Sequence, residues 1–448
     1  MHPEHLRRQT CLLQAIRIVI RADSDPVRQA LFANLRESHA SVRLVYALHE
    51  RLRSTAAAAL LVSGYGVATF LAIAVREKRR ARFLCVARHA NARRQVSRVT
   101  SWLEPGDCAH VDLRLAAIPA RAAQAVYTLR ASRRSFARTL RIVRRIDQRY
   151  SFLVTCRVAS AVAWYARGCA ILRAQPHDAI IVSSDTNPEE VGFTAAARAL
   201  AVPTIFISHA YPTPFAPPLA FNLSILGGEA EVHARRKRGP IGGDILLAGL
   251  EGESNPLDAW QLDLPEPTIG IFAPKAVSWT TLARVIDDCR THFRARRIVI
   301  RWHPSMIEPP RLSHRLGDLS GIVESPSEAQ LADVARQCDW VVADENSSVH
   351  LPVLKLGIPS IAVKNLGRYP ETRTDMYGFV RDRVIPPAVP SIRDMRSDAL
   401  ASFFSNGWSA RFQQYDASYA RPQTAIQNEV RAAVQRLCRR ERGEAIRG

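Results

Sequence analysis

At 448 residues, with 47% hydrophobic and 23% charged content, the chain has the length and composition of two globular domains, which excludes a disordered or fibrous class. Its net charge of +21 rests almost wholly on arginine, because lysine stands only at positions 78, 237, 275, 355 and 364. The excess reads as arginine-rich codon usage or as a basic face toward anionic lipid or a polyanionic substrate. Nucleic acid is not expected, since no zinc knuckle, RNP-like strand or helix-turn-helix pattern accompanies the charge.

The N-terminal residues MHPEHLRRQT lack the apolar core and small-residue cleavage site of a signal peptide. Eight scattered cysteines without a C-x-x-C pair point to buried thiols in a reducing cytoplasm and away from structural zinc. Residues 1–50 read as mixed helix and strand, with 15–20 a first strand. Residues 55–75 carry no charge and reach the ~20 residues of a membrane span. Alanine, glycine, serine, threonine and tyrosine dilute the run, so a buried strand-turn-helix around 63–66 fits as well as a span. Residues 81–86 and 110–115 read as strands, with turn-forming residues at 104–107. From 120 to 172 the pattern is helical. Within it Arg133, Arg134, Arg138, Arg141, Arg144 and Arg145 suit a solvated face or a lipid-headgroup surface.

Residues 179–183 form an apolar strand leading into SSDTNPEE, where Asp185 or Asn187 caps a helix that runs to Leu200 with Pro188 near its start. Residues 203–208 are the next strand and end in SHAYPTP; 221–226 and 244–247 complete a first sheet. The polar, proline-containing stretch 251–267 is the interdomain linker, dividing the chain into 1–255, 256–420 and a basic terminal helix or tail at 421–448. A strand at 268–272 runs into APKA, and a helix over 278–295 follows. Two apolar runs, 298–300 and 340–343, then end abruptly in polar residues, as buried parallel strands do. The first delivers Arg301, His303 and Pro304. The second delivers Asp344, Glu345, Asn346, Ser347 and Ser348, before a helix closed by Gly357 and a strand at 359–363. A terminal helix spans about 422–440, its basic end a solvated face or a frayed tail.

Two open α/β sheets joined by a linker form a cleft between their carboxyl edges. Lys275, Arg301, His303, Glu345, Ser347 and Ser348 reach it from the second sheet, and Ser183, Ser184, Asp185, His209 and Tyr211 from the first. A helix opening on Asn-Ser-Ser offers backbone N–H groups and hydroxyls to a phosphate. Glu345 suits ribose hydroxyls, and Asp344 a structural role. His209 follows a buried strand and is the candidate base, with Asp185 competing for that role; Ser184 and Tyr211 lie on the acceptor side. No D-x-D motif stands at a strand end and no His/Cys/carboxylate cluster has ligand spacing, so neither a metal nor a separate cofactor is expected.

A strand ending in His303-Pro304, followed by Asp344-x-x-Ser347-Ser348-Val349 and Gly357-x-Pro359, resembles the C-terminal half of GT-B glycosyltransferases. Bacterial capsule-polysaccharide, polysialyltransferase-like and CDP-glycerol glycerophosphotransferase groups share that pattern most closely. The resemblance covers roughly residues 179–363. It implies two Rossmann-like domains facing a cleft, with the His-Pro histidine on the phosphates of a nucleotide-activated donor. In the glycerophosphotransferase-like groups a strand ends in His-Gly and that histidine is implicated as a base; here Ala210 replaces the glycine after His209.

The implied function is transfer of a sugar, or a sugar-like or polyol-phosphate unit, to a surface polysaccharide or lipid-linked glycan. The enzyme would be cytoplasmic and peripheral on the anionic inner membrane. NDP-sugar 2-epimerases share the fold and a similar signature and give a second reading; an inactive scaffold of a polysaccharide assembly complex gives a third.

Overall fold

The computed structural model describes residues 3–25, 28–29, 32, 40–52, 56–76, 81–113, 151–212, 216–257, 264–304, 312, 319–326, 329–368, 374–405, 407–419 and 421–441. Helices α1 (Pro3–Asp23), α2 (Ala40–Leu52) and α3 (Ala56–Ala72) precede a seven-stranded sheet. Its strands are β1 (Ile73–Arg76), β2 (Phe83–Val86), β3 (Cys108–Leu113), β4 (Ala179–Val182), β5 (Thr204–Ile207), β6 (Ala220–Leu226) and β7 (Gly242–Leu247). They lie in the order β1-β3-β2-β4-β5-β6-β7, with every neighbouring pair parallel except β1 and β3. Helices α4 (Ala90–Thr100), α5 (Phe152–Ala174), α6 (Pro188–Ala199) and α7 (Glu229–Arg236) flank them.

The second sheet holds β8 (Thr268–Phe272), β9 (Arg297–Arg301), β10 (Ile322–Ser325), β11 (Trp340–Asp344) and β12 (Ser360–Val363) in the order β10-β9-β8-β11-β12, all parallel. Helices α8 (Trp279–Thr291), α9 (Leu331–Ala335) and α10 (His350–Lys355) belong to this half, and α11 (Ser397–Ser405), α12 (Trp408–Gln413) and α13 (Gln423–Glu441) close the described chain.

The strand sequences are continuously apolar because both faces of each sheet are covered. Successive side chains point to opposite faces. Accordingly Leu84, Val86, Ile180 and Val182 join a core with Trp164 of α5 and Phe193 of α6. Their neighbours Phe83, Cys85, Ala179 and Ile181 join another with Val96 of α4 and Ile426, Val430 and Val434 of α13. In the second sheet Ile269, Ile271, Ile298 and Ile300 meet Leu282 and Val285 of α8, while Phe272, Val299 and Val341 meet Val334 of α9 and Val353 of α10.

The terminal helix therefore belongs to the cover of the first sheet. Ile426, Val430, Val434 and Leu437 form one buried stripe at helical spacing, each stabilising the packing by ~1.5–3 kcal/mol when fully buried.

Three expectations are corrected. Residues 15–20 are helical: Ala15, Ile16 and Val19 recur at helical spacing and pack on Val158, Ala161, Val191 and Ala195. The β-branched residues there serve a helix face, because tertiary packing overrides propensity. Residues 63–66 make no turn, since α3 runs through them into β1. Among the described residues no helix is long and apolar enough to cross a membrane. The arginine-rich stretch 133–145 lies outside the described residues. β10 and α9, between the two polar-ended strands of the second half, carry too little apolar pattern to have been foreseen.

The chain passes from the first half to the second after Leu250 and returns through residues 414–419, and the two crossings are fastened together. Lys355 of α10 is buried and donates to Leu250 O (2.8 Å) and Ser418 Oγ (2.6 Å), and pairs with Asp416 Oδ2 (3.0 Å). Asp416 Oδ1 accepts from Leu250 N (2.9 Å) and Ser418 N (3.0 Å). Arg98 of α4 reaches the same turn, donating to Leu250 O (2.7 Å) and Gly249 O (3.0 Å). Gly249 has φ +70°, and a Cβ there would lie 2.2 Å from Ser418 Oγ, so only glycine fits.

Truncating one member of a buried ion pair strands the other charge. Lys355→Ala is therefore expected to cost ~3–5 kcal/mol in urea unfolding, with Lys355→Met/Asp416→Leu recovering most of it. A single variant as stable as wild type would show that this junction does not hold the halves together.

Candidate active site

Parallel strands deliver their carboxyl ends to one edge. On the first sheet β2 leads into Arg88 and His89, β4 into Ser183, Ser184 and Asp185, and β5 into Ser208 and His209. On the second, β8 leads into Lys275, β9 into Trp302 and His303, and β11 into Glu345 and the turn through Ser348. A cavity of about 700 Å³ opens between the halves, walled by Asn91, Arg94 and Arg98 of α4 on one side and Arg301, Pro304 and Gln330 on the other.

His209 is the most defined of these groups. Its Nδ1 is hydrogen-bonded to the carbonyl oxygen of Ser183. A carbonyl only accepts, so Nδ1 carries the proton and Nε2 is left with the lone pair. Burial lowers the pKa of the ring, Arg235 and Lys275 adding to the effect and Asp185 opposing it. His209 is thus held as a neutral imidazole in the tautomer a base requires.

His303 meets the same field from the opposite wall. Burial, then Lys275, Arg301 and His89, bring its pKa to about 3, so at neutral pH it is an uncharged ring. His89, exposed at the residue before α4, completes the group, brought to about 4 by desolvation and by Lys275 and His209. Lys275 is open to solvent yet crowded; desolvation lowers its pKa, followed by repulsion from Arg28 and Arg157.

His89 was missed in the sequence. Its signal was present, because V-A-R-H, I-S-H and R-W-H each place a histidine two or three residues beyond a strand. Beneath it the fully buried Glu190 accepts from Arg88 N (3.0 Å), and burial, reinforced by Glu189, pushes this carboxyl up to about 8.

Other expected residues take different positions. Asp185 is held in an ion pair with the buried Arg235, which also faces Glu231 at 3.7 Å, so its carboxylate is committed. Ser184 is buried, its Oγ accepting from Asn187 N (3.1 Å) and Thr186 N (3.4 Å) at the entry to α6. Asn187 itself makes no side-chain cap. Tyr211 donates to Ala230 O (2.9 Å) and packs its ring on Tyr377, Phe379 and Tyr415, bridging the two halves. Arg301 is buried, with its guanidinium over Phe272 and its Nε without a hydrogen-bond partner among the described residues; burial and Arg94 bring its pKa to about 10.

The helix after β11 begins at His350 rather than on Asn-Ser-Ser. Residues 345–349 instead form a braced turn. Asp344 accepts from Asn346 N (2.9 Å) and Gly367 N (2.6 Å), and Asn346 Oδ1 accepts from Met376 N (2.8 Å). Ser347 Oγ accepts from Val349 N (3.4 Å), and Ser348 bonds the Tyr377 hydroxyl. Glu345 is buried, and desolvation followed by Asp344 raises its pKa. The turn is pinned by the fully buried His350, which bridges Ser360 Oγ (2.8 Å) and Asp344 O (2.9 Å). Among the described residues no group of three or more His, Cys, Asp or Glu is placed to hold a metal ion.

Two α/β sheets thus turn their carboxyl edges toward shared space. The architecture is GT-B-like. No family model matches the chain, and no curated protein does. Similar solved structures include S. aureus MnaA with UDP, at 10% identity over 79% of this chain and 96% of the other, with a TM-score of 0.49. UDP-GlcNAc 2-epimerase from Neisseria meningitidis bound to UDP-GlcNAc aligns at 9% identity over 79% and 98%, with a TM-score of 0.44. MurG from Acinetobacter baumannii aligns at 12% over 63% and 78%, with a TM-score of 0.33. These likenesses concern fold alone.

The His350 ring gives a pH test of the braced turn. Burial brings it from the ordinary 6.5 to about 4, so between those values the unfolded chain binds more protons than the folded one. This stability is fully present above pH 6.5 and is lost as pH falls toward 4. In urea unfolding, wild type is expected to lose about 2 kcal/mol more than His350→Gln between pH 7 and pH 5. Equal losses would place His350 outside the folded core of the turn.

Proposed function

We propose that the chain is a GT-B-type glycosyltransferase moving a sugar or sugar-like unit from a nucleotide-activated donor to the hydroxyl of a surface glycan or lipid-linked acceptor. The observation that carries this reading is His209, fixed as a neutral base on one wall of the cleft, sharing its field with Lys275, which also acts on His303. On this reading Lys275, Arg301, His303 and the turn with Ser347 and Ser348 receive the donor diphosphate. Nε2 of His209 takes the proton of the acceptor hydroxyl as its oxygen bonds to the sugar carbon. The bond from that carbon to the phosphate oxygen breaks, and its electron pair leaves with the nucleotide. The fixed cations and the His303 ring then stabilise the departing charge.

A 2-epimerase would need several acids and bases around one sugar carbon. The carboxylates at these strand ends are otherwise engaged: Asp185 pairs with Arg235, Glu190 is buried under Arg88, and Glu345 is buried beside Asp344. The arginine excess suits a peripheral position on an anionic inner membrane, where each basic residue near the surface contributes ~1 kcal/mol.

Nucleotide sugars screened by thermal shift should identify the donor, since binding stabilises by mass action even where turnover is slow. With that donor, His303→Ala should lower turnover by ~100-fold, whereas His209→Ala should abolish transfer and keep the thermal shift. Release of a 2-epimer without acceptor would overturn the reading in favour of the epimerase. Binding with no chemistry would overturn it in favour of a scaffold.

A further inference from the structure

The first-sheet wall holds a second set of cations, built by a part of the chain that the transfer step leaves unused. At the end of α1 the fully buried Asp23 accepts from Arg28 Nη1 (3.1 Å) and from Arg157 Nε of α5 (2.6 Å). Arg28 also donates to Thr186 Oγ1 (3.3 Å) in the loop that carries Asp185. Two guanidinium groups therefore share one carboxylate, and Arg157 Nη2 is buried without a hydrogen-bond partner among the described residues. Both arginines act on Lys275 across the cleft, and they repel each other. Of the nearby acids, Asp185 is already neutralised by Arg235, and Glu190, on which Arg157 also acts, is pushed up to about 8 by burial.

A net positive cluster of this kind is unfavourable in a narrow, poorly solvated space unless an anion completes it. Arginine forks match the geometry of phosphate oxygens, and Asp23 fixes both forks from behind. The pair stands on the wall of His209, the acceptor side, whereas Arg301 and His303 stand on the other.

We infer that Arg28 and Arg157 form a second anion subsite that binds a phosphate group carried by the acceptor. The inference rests on the transferase reading for the word acceptor, while the subsite itself rests on the geometry alone. The phosphate belongs to a membrane-embedded lipid carrier or to a soluble phosphorylated glycan, and the chemistry at the arginines is the same for both.

The test is calorimetric titration of the full chain with inorganic phosphate, with and without saturating UDP. Wild type should bind phosphate with UDP present. Arg157→Gln should weaken that binding at least tenfold, and Arg157→Lys should weaken it less, because the charge remains. Arg28→Gln, which leaves Arg157 on Asp23, should weaken it as well; this variant keeps the inference testable should Arg157→Gln fold poorly. Unchanged phosphate affinity in Arg157→Gln would overturn the subsite. So would phosphate competing with UDP and depending on Lys275 alone. Loss of phosphate binding in Arg157→Gln by a chain that binds no nucleotide would keep the subsite and remove the donor reading. Co-sedimentation with phosphatidylglycerol vesicles, against phosphatidylcholine vesicles, separates the sources. Sedimentation lost in Arg157→Gln supports the lipid source, and phosphate binding without sedimentation supports the soluble one.

Discussion

Lys355 carries its ammonium into a space where both crossings between the halves meet, and its partners come from each of them. A buried ion pair contributes little net stability compared with apolar residues of equal volume, yet it penalises every arrangement in which one partner is missing. Here that penalty selects a geometry. Leu250 at the outward crossing, Asp416 and Ser418 at the return, and Arg98 on α4 are satisfied together only when the two sheets hold one relation to each other. The cleft depends on that relation, because its groups sit on different halves. Gly228 adds a second point of close approach, where a Cβ would lie 2.4 Å from Gln414 O.

The strand ends were legible in the sequence because a strand buried on both faces leaves an unbroken apolar run that stops where the chemistry starts. Ile298–Ile300 and Trp340–Ala343 are such runs, and the residues following them line the carboxyl edge as expected. What was not legible depends on contacts distant in sequence. That α13 covers the first sheet is decided by Phe83 and Ile205 far upstream. The commitment of Asp185 to Arg235 is invisible without the fold, since fifty residues separate them. For α1, Ile16, Ile18 and Ile20 fit a strand's period and Ile16 and Val19 a helix's, and only packing on Val158 and Val191 decides for the helix.

His89 illustrates a different limit. Its local sequence resembles that of the other two histidines, yet no motif accompanies it, and its relevance arises only when β2 is placed beside β4 in the sheet order. The same holds for Arg28 and Arg157. Arg28 lies in a stretch that reads as mixed helix and strand and Arg157 in one that reads as helical, and Asp23 is what turns them together. The N-terminal helices thus add a specialised wall to a sheet whose parallel strands already form the edge.

The cleft divides its electrostatic work between two kinds of cationic residue. The arginines provide charge that persists through the neutral range, while the histidines stay uncharged because burial and the neighbouring cations depress them. The division has a consequence for loading. Lys275 acts on His89, His209 and His303 alike, so an anion placed against its ammonium cancels part of the field that suppresses all three. The pKa of His209 on the first wall then rises when an anion occupies the second wall. On the transferase reading, Lys275 thereby links the protonation of His209 to occupancy of the donor side of the cleft.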